Sequence, residues 1–343
     1  MRGERKGMAA TFAIGPARAM RRVALLLLLP LVSGAACASR RVQPLEGFAA
    51  DVEIRFADRV TVARRLDPVP HSNRDRAERL RELFRQAGCA DGLLRDRFDG
   101  HSELPNIVCA LPGRSDEIII VAAQYDRPRY GAGIVDNWSG VAMLPALYRA
   151  LQHRTRRHTY LFIGFTDGTR KMRIGSRYFA QRMAESGEIE RVRAMINLKG
   201  LGLSEPAVWT DRSDPDLLLD LSSVGEALGQ RIRDVNFRRV ENAILLTRRR
   251  EFGFIADAES FRLFGVPTLT IHSLGVKTAR LVRDSRNDVD PSLIDPQHYY
   301  ATYRLVAVYL GYLDDSLEAR RSSGNATRFP SMQVSALRAL QRS

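Results

Sequence analysis

The sequence predicts an α/β protein, a single three-layer α/β/α domain around a mostly parallel central sheet. Short apolar runs rich in β-branched residues, among them Asn106–Leu111 (NIVCAL), residues 117–123 (EIIIVAA), Thr159–Phe165 (TYLFIGF), residues 193–198 (RAMINL) and Thr268–His272 (TLTIH), read as strands. Segments with helical spacing alternate with them, the order expected of a parallel sheet covered on both faces. A length of 343 residues with 45% hydrophobic content is enough for one large core, or at most two domains.

Residues 1–38 read as a targeting segment. Met20-Arg21-Arg22 is a basic start, residues 23–32 (VALLLLLPLV) are apolar, and small residues lead to Cys37. The apolar run is about half of what spans a bilayer, so export is expected rather than a permanent transmembrane helix. Cys37 follows Gly-Ala-Ala, which resembles a bacterial lipoprotein box; acylation of Cys37 and plain cleavage nearby both remain open. The mature protein is expected in the periplasm, on the outer surface, or anchored to a membrane through Cys37.

Residues 39–66 are Arg-rich and irregular, a tether into a domain spanning 67–315. The first helix is marked by Ala77, Leu80, Leu83, Phe84 and Ala87, with Ser72 or Asn73 as N-cap and Gly88 as stop. After the strands at 106–111 and 117–123, joined across Pro112-Gly113, Val141, Leu144, Leu147, Tyr148 and Leu151 mark the next helix. Further helices are expected at 178–183, at 215–228 and, with an aromatic stripe, at 297–313. Residues 316–343 are polar and read as a disordered tail.

The net charge of +14 suggests nucleic acid until it is partitioned. Residues 1–36 hold six basic and one acidic side chain and residues 316–343 five and one, leaving +5 to the remainder. A small excess spread over a large domain is not the clustered stripe that nucleic acid requires, so no nucleic-acid partner is expected. Only four of the 53 basic residues are lysine, which makes Lys199 at the end of an apolar strand conspicuous. Cys89 and Cys109 remain as a pair in an exported chain, and a disulfide between them is favoured over two buried thiols.

Open α/β sheets bind ligands at the carboxyl ends of their strands. Gln124-Tyr125-Asp126, residues 166–170 and Lys199 all emerge there. Asn106-Ile107-Val108 with Leu111-Pro112-Gly113, the strand ending in Gln124-Tyr125-Asp126, Asp136-Asn137-Trp138-Ser139-Gly140, Phe165-Thr166-Asp167 with Gly175-Ser176, Ile196-Asn197-Leu198, Gly265-Val266-Pro267 with His272, and Ile294-Asp295-Pro296 follow one another in the chain. In this order they resemble the co-catalytic di-zinc aminopeptidase family over residues 73–313. That family includes exported bacterial aminopeptidases, glutamate carboxypeptidases, glutaminyl cyclases and receptor-type pseudo-enzymes.

The resemblance implies a zinc-exopeptidase fold and two zinc ions held by two His, a bridging Asp and two further carboxylates, with a Glu as general base. Paired zincs polarise the scissile carbonyl and activate a shared water, while carboxylates offset their charge. In this chain the first His position is Gln124, with the supporting Asp kept as Asp126. The bridging Asp is kept as Asp136. Gly168 and Thr169 stand where the Glu pair should be, and Lys199 stands at a further carboxylate position. Asp284 or Ser285 takes the place of the last His. Unit charges 4 Å apart interact by about 4 kcal/mol at an effective dielectric near 20, so an ammonium in place of a carboxylate beside a divalent ion turns attraction into a repulsion of about twice that. Lys199 is therefore expected to replace the missing cation and pair with Asp136, and with Asp126 as a further partner, or else to snorkel to solvent.

The expected function is an exported pseudo-peptidase without zinc or another cofactor, acting by binding a peptide or protein ligand or as a scaffold. Two other readings use the same residues. One is a metallo-aminopeptidase with displaced ligands drawn from Asp136, Asp167, His272 and Asp284; the other is a metal-independent enzyme built on Lys199. His272 lies inside an apolar strand and reads as a satisfied core residue. Ser139 lacks a nucleophile elbow and is expected to cap the helix after it.

Overall fold

The protein is represented by a computed structural model that describes residues 54–98, 102–166, 173–238, 240, 256–275, 277–278 and 285–322. The targeting segment and the first part of the tether lie outside the described residues, as do Asp167, Gly168, Thr169, Asp284 and the tail beyond 322.

Eight strands form one sheet in the order β1-β2-β4-β3-β5-β8-β6-β7. They are β1 (Leu94–Arg97), β2 (Asn106–Leu111), β3 (Ile118–Gln124), β4 (Thr159–Phe165), β5 (Val192–Lys199), β6 (Ala207–Trp209), β7 (Arg233–Val235) and β8 (Thr268–His272). The centre of the sheet is parallel, β4 with β3, β3 with β5, and β5 with β8. β2 runs antiparallel to both β1 and β4, so the strands on either side of Pro112-Gly113 are separated in the sheet by β4. Every residue of β3 is buried, because helices cover both of its faces.

One face carries the larger core, where Ile119, Val121 and Ala123 of β3 meet α2 (Asn73–Gln86), α3 (Ser139–Leu151), α5 (Pro215–Ala227) and α7 (Pro296–Ser322). The other packs Ile118, Ile120 and Ala122 against α4 (Ile174–Glu185) and α6 (Ala258–Arg262). Ser72 caps α2 by accepting from Asp75 N at 3.0 Å, and Gly88 follows with φ +94°, a conformation suited to glycine. Cys89 and Cys109 form a disulfide that joins the end of α2 to β2. With its ends 20 residues apart, closing such a loop stabilises the fold by about 3 kcal/mol.

Two boundaries differ from the sequence-based expectation. The tether is not irregular to its end, since α1 (Arg59–Ala63) is capped by Asp58 and buries Val62. Tyr303 and Tyr300 of α7 bond the backbone of Ala57. One turn of helix is too short for periodicity to reveal. At the other end α7 runs on through residues 316–322, which read as tail. Asp220 of α5 accepts from Ser316 Oγ and Arg320 Nη2, each at 2.8 Å, and holds those last turns against the domain.

Candidate functional site

Lys199, Gln124 and Asp136 meet at the carboxyl ends of the central strands. Lys199 is paired with His272 in the β5–β8 register, and Ala122 is paired with Asn197 in the β3–β5 register. Strand alternation therefore puts Gln124, Lys199 and His272 on the face covered by α4 and α6.

The turn bearing Asp136 is held from three directions. Asp288, almost fully buried, accepts from the N–H groups of Ile134, Val135 and Asp136 at 2.8 to 2.9 Å. Its backbone carbonyl accepts from Ala132 and Gly133. Burial pushes the Asp288 carboxyl up, against the lowering effect of these N–H groups. Asn137 spans to the exit of β5, donating to Leu198 O at 2.8 Å and accepting from Gly200 N at 2.9 Å. Ser139 Oγ donates to Val135 O and accepts from Leu201 N. Ser139 is the first residue of α3 and does not cap it; its hydroxyl ties the turn to the segment after β5.

So held, Asp136 presents Oδ1 to two donors, Lys199 Nζ at 2.8 Å and Gln124 Nε2 at 3.4 Å. The lysine side chain is 4% exposed and the aspartate 16%, so Lys199 does not snorkel to solvent. Asp126, two residues beyond Gln124, is fully buried. Its backbone carbonyl and that of Tyr125 accept from Arg76 Nη1, and burial pushes the Arg76 guanidinium down against the opposing charge of Asp126.

Three buried residues of the site escaped the sequence reading. Arg76 lies eight residues before Phe84 and four before Leu80, on the apolar stripe of α2, and that position was its available signal. Asp288 and Asp257 carried none. Asp257, just before α6, is 3% exposed and its carboxyl is pushed up by burial. Its hydrogen bond to Ser176 and the charges of Lys199 and Arg173 work the other way.

His272 is fully buried at the end of β8, as its apolar strand suggested. Nδ1 accepts from Leu274 N at 2.9 Å and the ring stacks on Trp209 at 3.7 Å. Burial, then Arg233, hold its imidazole well below the usual range, with Lys199 adding to them. The unfolded chain therefore takes up a proton below about pH 6.5 that the folded chain refuses, and stability is lost as pH falls. The expected slope from this residue is about 1.4 kcal/mol per pH unit. Urea unfolding midpoints between pH 6.5 and 5 should fall less steeply for His272→Phe than for the parent; parallel curves would remove His272 as the cause.

The sequence matches the profile of Peptidase family M28 over residues 106–303. This chain belongs to peptidase family M28. Solved structures agree on the fold. The LapA aminopeptidase of Legionella pneumophila is 16% identical with a TM-score of 0.61, the match covering 80% of this chain and 76% of that one. LapB from the same organism is 14% identical with a TM-score of 0.62 over 79% and 74%. A glutaminyl cyclase from an Acidobacteriales bacterium is 16% identical with a TM-score of 0.57 over 81% and 99%. No curated protein matches the sequence significantly.

The zinc ions implied by the resemblance do not fit the residues gathered here. The one retained ligand type, Asp136, turns Oδ1 toward an ammonium and an amide N–H, both donors, where a metal ion needs lone pairs. Among the described residues no three His, Cys, Asp or Glu side chains come together as a metal-binding group. Of the remaining expected positions, Gly168, Thr169 and Asp284 lie outside the described residues; Ser285 opens a short 3₁₀ turn three residues before Asp288.

Proposed function

We propose that this M28 protein is exported, no longer carries out zinc-dependent peptide hydrolysis, and acts by binding a peptide or protein ligand or as a scaffold. The observation that carries this reading is the 2.8 Å contact between Lys199 and Asp136. A cation supplied by the chain itself stands beside the bridging carboxylate, and it would repel a divalent ion placed there. Schiff-base chemistry at Lys199 is disfavoured by the same contact, since a carboxylate partner favours the ammonium over the nucleophilic amine.

Metal analysis of the purified chain is expected to give well below one zinc per molecule. Release of nitroaniline from aminoacyl-nitroanilides should be indistinguishable with and without chelator. Stoichiometric zinc with chelator-sensitive hydrolysis would establish a working metallopeptidase with displaced ligands instead.

Export is supported by the basic-apolar-small pattern at the N-terminus and by the Cys89–Cys109 disulfide, a bond that persists in oxidising compartments. Among the described residues no helix is long and apolar enough to cross a membrane. Membrane attachment, in this reading, runs only through Cys37, and no nucleic-acid partner is involved. The mature protein's mass is expected to show removal of the leader, with either acylated Cys37 or a free terminus nearby. An intact leader on protein recovered from the native host would contradict export.

A further inference from the structure

On the α4 side of the sheet, the face of β2 and β4 between β1 and α4 is open as a groove of about 680 Å³. Its floor is Val108, Ala110, Leu161 and Ile118, which the register of β2, β4 and β3 places side by side. Phe179 and Met183 of α4 form one wall. Phe98, 57% exposed, stands at the opposite rim just past β1.

Charge is distributed unevenly along this groove. Arg95 and Arg97 are opposite Val108 and Asn106 and share their face, so both guanidinium groups border the apolar floor. Asp96 between them points to the other face, where Arg81 of α2 holds its carboxylate at 2.8 Å. The one acidic residue of β1 is thus turned away from the groove. Among the described residues no carboxylate lies within ion-pair distance of Arg95 or Arg97, and Arg95 Nε donates only to Gly92 O at 3.3 Å. At the other end Arg191 is neutralised by Glu188 at 3.1 Å and Asp116 at 3.6 Å.

The occupant must be apolar along its length and anionic at one end. A helix about 10 Å across would fit for less than two turns in this volume. An extended peptide fares no better. β2 lies between β1 and β4, and β4 between β2 and β3, so both floor strands have spent their backbone groups on the sheet. Peptide amides laid over them would be desolvated without partners. A hydrocarbon chain carries no such groups, and the volume lies in the range of small-molecule sites.

We propose that this groove binds a long-chain fatty acid, the acyl chain over Val108, Ala110 and Leu161 and the carboxylate at Arg95 and Arg97. The guanidinium fork suits a carboxylate oxygen pair. The site is at the β1 edge of the sheet, apart from Lys199 on β5, and does not depend on how that pocket is read.

Dodecanoate titrated into the intact chain, followed by calorimetry and native mass spectrometry, tests it. Saturable binding of one dodecanoate per chain is expected. Arg95→Glu with Arg97→Glu should weaken it by at least about tenfold, the loss associated with charge-assisted hydrogen bonds. Dodecanol and dodecyltrimethylammonium should bind the parent at least about tenfold more weakly than dodecanoate. Both arginines are exposed, so the variant is expected to fold, and an unchanged melting curve checks that. Absence of saturable uptake, equal affinity for the neutral or cationic amphiphile, or undiminished binding by the folded double variant would each overturn the assignment.

Discussion

Lys199→Met is expected to destabilise the folded chain by about 3 kcal/mol or more, the cost of stranding a largely buried carboxylate. The ammonium lies 2.8 Å from Asp136 Oδ1, and both side chains are mostly withdrawn from water. Methionine fills the volume of the lysine stem but leaves Asp136 with only the longer Gln124 contact at 3.4 Å. Adding Asp136→Asn should recover most of the loss, because a neutral amide carries little desolvation cost once the cation is gone. The two single variants and the double variant form a cycle, read by urea denaturation. A coupling near zero would mean that the pair contributes nothing, and the account of Lys199 as a built-in counter-cation would fall. A thermal readout should drop by about 2–4 °C per kcal/mol for a domain of this size.

A comparable loss, about 4 kcal/mol, is expected for Arg76→Met. Arg76 is fully buried on α2 and donates to the carbonyls of Pro70, Tyr125, Asp126, Ala132 and Gly133. Its guanidinium also lies 5.5 Å from the Trp138 ring centroid. Burial pushes the group down to about 10, with Asp126 and Asp288 opposing, so it stays charged at neutral pH. Without it the carbonyls on both sides of the 127–131 loop lose their shared donor. Lysine cannot span them, since a point ammonium lacks the planar fork, and Arg76→Lys should be impaired nearly as much as Arg76→Met. Tryptic cleavage after Arg129 is expected to accelerate in both variants, since the bond after Arg127 precedes Pro128 and is not a tryptic site. Unchanged cleavage and unchanged midpoints would show that the loop is held by other means.

The central strands and main helices were legible because each signal is local. Asn106–Leu111, Thr159–Phe165 and Thr268–His272 have the bounds that their apolar runs and turn residues suggest. The short strands β1, β6 and β7 were not, since three or four residues establish no period. The antiparallel place of β2 beside β4 was equally hidden, because strand order depends on which faces can be buried together.

The site divides in the same way. That Gln124, Asp136 and Lys199 come from segments gathered at the carboxyl ends of the central strands was expected from ordered motifs along the chain. Residue identity at a motif position is a property of sequence. What Lys199 does with its charge was decided by the tertiary structure, through a turn that Asp288 holds from 152 residues away. Neither Asp288 nor Asp257 lies in a pattern with a period, and their importance comes from burial and from hydrogen bonds to groups far along the chain. Sequence by itself determined the fold and the ancestry of the site, because periodicity and motif order are carried by neighbours along the chain. Only the folded structure decided that Asp136 faces an ammonium rather than solvent. Hydrogen bonding and desolvation act over a few ångströms in space, whatever the separation in sequence.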